Sequence, residues 1–153
     1  MEIRELVSSE SVIPKLKANS KKQLLQELAA FGAKITGQQE QEIFNVLLER
    51  ERLGTTGVGH GVAIPHGKFA NLDKIYGAFV HLETPVDFES VDDQPIDLVF
   101  MLLVPEDAGA DHLKALARIS RLMRNKTVCE KLRGTDSADA LYALLVSPNL
   151  DAA

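Results

Sequence analysis

The sequence predicts an α/β or α+β fold in which helices cover both faces of a sheet. Two helical segments precede a group of strand-like segments, and three further helical segments follow them. The last strand segment, IDLVFMLLV at 96–104, is apolar at nearly every position instead of alternating. Such a run is typical of a strand that is buried on both faces. The length of 153 residues is that of one ordinary domain, so we expect residues 1–153 to form a single domain.

Two helices are predicted in the first third of the chain. The first begins after a cap at Asn19 or Ser20 and ends at Gly32. Its apolar face is formed by Leu24, Leu25, Leu28 and Phe31. The second begins after Gly37 and ends near Gly54. Its broad apolar face is formed by Ile43, Phe44, Val46, Leu47 and Leu48.

In the middle of the chain the pattern changes from helical to strand-like. Strands are predicted at 62–64, 75–82 and 96–104. Three helices are predicted after them, at about 111–123, 127–132 and 137–146.

Composition excludes several classes of function. The net charge is −5 and no segment is dense in Lys or Arg, so we expect no nucleic-acid partner. No apolar run reaches the ~18 residues of a membrane span, and the N-terminus lacks the pattern of a secretion signal. The single cysteine, Cys129, cannot form an internal disulfide, which suits a cytoplasmic protein.

The stretch GVGHGVAIPHGK at 57–68 is glycine-rich, but it matches no nucleotide-binding motif. A dinucleotide fingerprint that begins at Gly57 needs a glycine where Val62 stands. A Walker loop that ends at Gly67 needs a glycine at the same position. Both kinds of phosphate loop are therefore excluded.

The histidines lack the local spacing of a zinc site. No His-Glu-x-x-His or Cys-x-x-Cys motif is present, and no two histidines are four residues apart. A serine-type triad also lacks its Gly-x-Ser-x-Gly turn. We therefore expect neither a metal nor another cofactor, although a zinc hydrolase built from distant histidines stays an alternative.

His66 has unusual neighbours. Pro65 fixes its own φ and favours an extended conformation at Ile64, as at the end of a strand. Gly67 has no Cβ, so the chain can turn sharply and leave open space beside the imidazole. The residues alone fit equally well with a histidine that is aimed at a ligand and with an ordinary exposed turn histidine.

His112 follows Asp111, a predicted N-cap, and comes just after the loop that leaves the buried strand 96–104. Sites in open α/β sheets gather at the carboxyl ends of strands, and a helix N-terminus favours anions and a neutral imidazole. A neutral His112 there can donate an N–H to a phosphate oxygen. A solvated residue at a helix start is the simpler alternative.

Three other features are weaker candidates. His81 lies in an apolar strand, where a buried histidine is usual, and His60 lies in the glycine loop, where we expect it to be exposed. Arg52 stands just upstream and can reach an anion, but it also fits an exposed helix face. The loop amides can form an anion-binding nest or a mobile connector, and its small residues are Thr55, Thr56, Gly57, Gly59 and Gly61.

Three stretches carry a resemblance to a known family. They are RERLGTTGVGHGVAIPHGK at 50–68, HLETPVDFESVDDQPIDLVFMLLVPED at 81–107 and DHLKALARISRLM at 111–123. These stretches resemble the enzyme IIA domains of the fructose–mannitol class of the phosphotransferase system. The resemblance covers nearly the whole chain. It is strongest to the stand-alone nitrogen-regulatory branch, since no IIB or IIC portion is attached.

The resemblance implies an α/β fold with a mixed sheet of about five strands and helices on both faces. It also implies that His66 is phosphorylated and that His112 supports the phosphoryl group, whereas it assigns no role to His60. We hypothesise a phosphocarrier whose neutral His66 holds Nδ1–H on a backbone carbonyl and presents Nε2. The residues expected to support the phosphoryl group are Arg52, Thr56, Gly57 and Gly67.

The resemblance also implies partners. The expected donor is an HPr-like phosphocarrier, and the expected targets are regulatory proteins of the sensor-kinase or potassium-transporter class. Candidates for an apolar docking surface are Val58, Val62, Phe69 and Ala70. Two alternatives remain: a sugar-transport IIA that passes phosphate to a fructose- or mannitol-type IIB, and a binding module that is not phosphorylated.

Overall fold

The computed structural model describes residues 2–147. Within that range the α-helices are α1 (Ile3–Leu6), α2 (Lys21–Thr36), α3 (Glu40–Arg52), α4 (Ala110–Arg124), α5 (Lys126–Arg133) and α6 (Ala138–Val146). The strands are β1 (Val12–Leu16), β2 (Gly57–Gly59), β3 (Val62–Ala63), β4 (His66–Phe69), β5 (Tyr76–Val86) and β6 (Ile96–Pro105). A 3₁₀ turn spans Ser9–Ser11.

The strands form one mixed sheet in the order β1-β5-β6-β3-β2, with β4 also paired to β6. β5 runs antiparallel to β6, whereas β3 and β4 run parallel to it. β3 and β4 follow one another along β6, with Val62 opposite Leu98 and His66 opposite Leu102. They are separated at Ile64–Pro65, where proline has no N–H to donate to a ladder. The predicted mixed sheet is confirmed.

The side chains of β6 alternate between two hydrophobic cores. Those at 98, 100, 102 and 104 pack against buried residues of α1, α4, α5 and α6. Those at 99, 101 and 103 pack against buried residues of α2 and α3. The apolar run 96–104 therefore indicated correctly that helices cover both faces of this strand.

α2 is longer than the sequence predicted. It is capped by Ser20, whose side chain accepts from Gln23 N, and it ends at Gly37, which adopts a left-handed conformation with φ +78°. Gly32 lies inside the helix, where an added Cβ would come within 3.2 Å of the side chains of Ile43 and Leu103. The predicted end at Gly32 was wrong, because this glycine allows close packing rather than a change of direction.

The structure corrects one further boundary. α4 is capped by Gly109 with φ +59°, so Asp111 is inside the first turn and is not the cap. The short elements α1, β1, β2 and β4 were not predicted. None of the helices in residues 2–147 is both long and apolar enough to cross a bilayer.

Candidate functional site

His66 is the first residue of β4, and its ring is half-buried. The sequence placed it behind the end of a strand, whereas the chain resumes pairing with β6 at His66 itself. Its Nδ1 lies 2.9 Å from the carbonyl oxygen of Ile64. Since a carbonyl can only accept, Nδ1 carries the proton and Nε2 presents a lone pair. This is the tautomer that the hypothesis required.

Arg50 contacts that lone pair. Its Nε lies 3.3 Å from His66 Nε2, and its Nη1 donates to the Gly54 carbonyl at 2.9 Å. Arg50 belongs to the last turn of α3, one turn after Val46, which packs beside Gly67. Residues four apart share a helix face, so the contact of Val46 with β4 directs Arg50 toward His66.

Arg52 is not the arginine beside His66. Its guanidinium is exposed and pairs with Glu49 on the solvent side of α3. Two residues span about 200° of helix rotation, so Arg50 and Arg52 point in nearly opposite directions. The spacing from Val46 was a usable signal in the sequence, but it required knowing which side of α3 faces β4.

His112 lies in the first turn of α4, with its ring centroid 5.8 Å from that of His66 and the two planes tilted by 60°. Its Nε2 is buried and has no hydrogen-bond partner among the residues that the structure describes. The structure thus brings together the two histidines that the sequence singled out.

The surroundings of both imidazoles favour their neutral forms. Burial lowers the pKa of His66 most; the Ile64 carbonyl opposes this, Arg50 lowers it further, and Glu51 raises it. Burial also lowers the pKa of His112, and His66 and Lys68 lower it further. A neutral His66 keeps the Nε2 lone pair that a nucleophile needs.

Gly67 does not open space beside His66. An added Cβ would lie closer than 3.0 Å to Val46 Cγ1, so the missing side chain lets α3 approach β4. The expectation of a sharp turn with a vacancy was wrong, because Gly67 continues the ladder opposite Leu103.

The predicted loop donors are engaged elsewhere. Thr56 is buried, and both its N–H and its hydroxyl donate to the carboxylate of Glu51. The N–H of Gly57 donates to Thr55 Oγ1, and an added Cβ at Gly57 would collide with Ser90. The structure therefore does not place these amides at His66, and the segment is ordered by contacts on both sides.

The remaining histidines are separate from the site. His60 is exposed and adopts φ +57°, with its N–H on Asp92. His81 is half-buried and pairs with Leu98, four residues before the partner of His66 along β6. Four strand residues span about 13 Å. No group of three or more His, Cys, Asp or Glu within residues 2–147 is arranged to hold a metal ion.

Two exposed apolar side chains lie near site residues in the sequence, one close to Arg50 and one next to His112. Leu53 follows α3 and is 85% exposed, and Leu113 follows His112 and is 69% exposed. Of the predicted docking residues, Val58 and Ala70 are exposed, whereas Val62 and Phe69 belong to the core. Sequence reasoning missed Leu53 and Leu113 because an apolar residue on an amphipathic helix is usually buried.

Comparisons with known proteins agree on one family. Residues 5–147 match the family described as phosphoenolpyruvate-dependent sugar phosphotransferase system, EIIA 2. A nitrogen regulatory protein of Bradyrhizobium diazoefficiens is 60% identical over the full length of both chains. The crystal structure of nitrogen regulatory protein IIA-Ntr from Neisseria meningitidis is 35% identical, covers 94% of this chain and 98% of its own, and has a TM-score of 0.88. The mannitol IIA of Escherichia coli shares the fold, with a TM-score of 0.76. It is 24% identical, and the match covers 91% of this chain and 98% of its own.

Proposed function

The chain belongs to the EIIA 2 family of the phosphoenolpyruvate-dependent sugar phosphotransferase system, and on that premise we propose that it is a regulatory histidine phosphocarrier. It accepts a phosphoryl group on Nε2 of His66 from an HPr-like protein. The observation that carries this proposal is the paired geometry of His66 and His112, with Nδ1 of His66 fixed on the Ile64 carbonyl.

The transfer step exchanges one N–P bond for another. The lone pair of His66 Nε2 attacks the phosphorus of a phosphohistidine on the donor, and the donor imidazole leaves with the electron pair of its own N–P bond. No proton has to be removed from the nucleophile. The ring of His66 becomes positively charged, and the Nδ1–H bond to the Ile64 carbonyl stabilises that charge.

Two residues are suited to hold the phosphoryl oxygens. Arg50 donates Nε–H toward Nε2 in the free protein, and the same N–H can donate to an oxygen once phosphorus is bound there. His112 offers a buried nitrogen that has no partner within residues 2–147. A donor that is already close to the reacting atom needs little reorganisation, and Arg50 only has to turn its N–H from Nε2 to a phosphoryl oxygen.

Regulation follows from the change in charge. A phosphoryl group adds about −1.5 to −2 charges. Exposed Leu53 and Leu113 lie close in sequence to Arg50 and His112, so a partner that docks on this surface meets a different electrostatic field in each state. The relatives named nitrogen regulatory protein support a regulatory role over sugar transport. The proposed targets, of the sensor-kinase or potassium-transporter class, follow from the family resemblance alone.

The test is reconstitution with phosphoenolpyruvate, enzyme I and an HPr-type protein, followed by mass spectrometry. We expect one acid-labile phosphate on the wild-type protein and none on His66→Ala, with the fold retained by circular dichroism. His112→Ala should slow labelling while His66 stays competent. Labelling of His66→Ala would contradict the site, and efficient onward transfer to a fructose- or mannitol-type IIB would favour the sugar-transport alternative.

A further inference from the structure

Glu51, in the last turn of α3, is a buried acid that the phosphoryl-transfer step does not use. Its side chain is 3% exposed. The carboxylate accepts from Thr56 N at 3.0 Å and from the Thr56 hydroxyl. A carboxylate in such a position is costly unless it is fully paired, so its contacts call for an explanation.

Lys21 supplies the counter-charge from the first turn of α2. Its Nζ lies 3.1 Å from Glu51 Oε1, 3.6 Å from the exposed Glu89, and 4.5 Å from the centre of the Phe88 ring. The Lys21 side chain is itself mostly buried. Glu51 therefore joins α2, α3 and the segment that follows α3.

The turn after α3 is held by two consecutive residues. Glu51 binds Thr56 at its far end, and Arg50 binds the Gly54 carbonyl at its near end. Arg50 uses its remaining Nε–H for His66. Because one guanidinium spans Gly54 and His66, a shift of Gly54 changes the geometry at Nε2.

We propose that Glu51 is a positioning residue for phosphoryl transfer. It fixes the turn 53–56, and through Gly54 it holds the Arg50 guanidinium at His66 Nε2. Its buried negative charge also favours the cationic ring that forms on His66 during transfer. This inference rests on the proposed function for its kinetic part, whereas its effect on the His66 ring is measurable in the free protein.

The charges around His66 determine in which direction its pKa shifts when the Glu51 charge is removed. Arg50 and Glu51 act from α3 with opposite signs, and His112 faces the ring from α4. Lys68, on β4 with His66, acts on His112. Removal of the Glu51 charge leaves only the Ile64 carbonyl, among these groups, to favour the protonated ring, so protonation of His66 becomes less favourable.

The central variant is Glu51→Gln, with Glu49→Gln as its matched control on the exposed side of α3. We expect Glu51→Gln to lower the transfer rate at saturating donor by about tenfold to hundredfold, as for displaced positioning groups. The apparent KM for the donor should stay within about twofold, because the exposed docking residues are unchanged. In the free protein, NMR titration should show a lower pKa for His66 in this variant and an unchanged one in Glu49→Gln.

A double variant separates positioning from stability. Loss of one member of a buried ion pair destabilises a protein, whereas replacement of both members is often neutral. Lys21→Met with Glu51→Gln should therefore recover unfolding stability but not the transfer rate or the His66 titration. Recovery of the rate along with stability would overturn the proposal.

Two further outcomes are decisive. If Glu51→Gln does not fold, Thr56→Val keeps the carboxylate but deletes one donor to it, and it should slow transfer in the same direction by a smaller factor. An unchanged transfer rate in whichever variant folds would refute the positioning role of Glu51, and an unchanged His66 titration in Glu51→Gln would refute its effect on the ring. Absence of labelling in the wild-type protein would refute the proposed function instead, and the NMR titration would still test Glu51.

Discussion

The contact between Gly67 and Val46 gives the sharpest test of how α3 is placed against β4. In Gly67→Ala the new Cβ lies closer than 3.0 Å to Val46 Cγ1, a separation that real Cβ atoms essentially never show. Valine in a helix has one strongly preferred rotamer, so Val46 cannot swing away freely. Overpacking of this kind costs about 1–3 kcal/mol, and replacement of a strand glycine returns about 0.5–1 kcal/mol. The net loss is then between about 0 and 2.5 kcal/mol.

Urea and thermal unfolding measure that loss. For a domain of this size, a loss of up to about 2.5 kcal/mol corresponds to a fall in Tm of up to about 10 °C. Gly134→Ala is the matched control, because an added Cβ there meets nothing closer than 3.6 Å. Val46→Ala removes the colliding methyl group, so the double variant should be more stable than the two single losses predict. Additive losses, or a Gly67→Ala protein more stable than wild type, would refute the close approach of α3 to β4.

Two predictions concern the site itself. Arg50→Ala should lower the initial rate of labelling by an HPr-type donor about 10²-fold, which is the usual cost of one lost oxyanion donor. Arg52→Ala should lower the same rate by less than about twofold. Equal effects of the two variants would contradict the assignment of Arg50. Burial lowers the pKa of His66 and His112 in the native protein, whereas in the unfolded chain both have the ordinary value of about 6.5. At a pH between about 6.5 and the lower native pKa values, the unfolded chain therefore binds more protons than the native protein. The unfolding free energy should therefore fall as pH decreases from about 6.5, and the slope should flatten in His66→Gln/His112→Gln; an equal slope in both proteins would contradict the lowered pKa values.

The sequence was sufficient where one local pattern decides the structure. The apolar run at 96–104 predicted a strand covered on both faces, and β6 is buried on both faces. Pro65 beside His66 indicated a restricted backbone, and the Nδ1 contact with Ile64 is made within that short stretch. In these cases the interacting atoms are close neighbours in the chain, so their arrangement follows from residue type and spacing.

Tertiary contacts decided the rest. Gly32, Gly57 and Gly67 were interpreted as freedom of the backbone, but each is needed because another side chain occupies the place of its Cβ. A glycine that frees the chain and a glycine that permits close approach look identical in a sequence. Only the neighbours at Ile43, Ser90 and Val46 tell them apart.

The choice between Arg50 and Arg52 also depended on a tertiary contact. Both arginines precede the glycine loop, and periodicity states only that they point in nearly opposite directions. Which direction leads to His66 depends on the face of α3 that packs against β4, and that face is selected by the contact of Val46 with Gly67. A small contact in the core thus determines which guanidinium reaches the lone pair.

The same few groups favour a neutral His66 before phosphoryl transfer and a cationic His66 after it. Before transfer, burial and Arg50 disfavour protonation of His66, which preserves its lone pair. After transfer, a dianion near Arg50 reverses the local field and favours positive charge on both imidazoles. The Ile64 carbonyl and Glu51 already favour a cationic His66, so they oppose burial and Arg50 before transfer and act with the dianion after it. The Arg50 N–H must turn from Nε2 to a phosphoryl oxygen, but the arriving phosphoryl group otherwise changes the balance among groups that are already in contact.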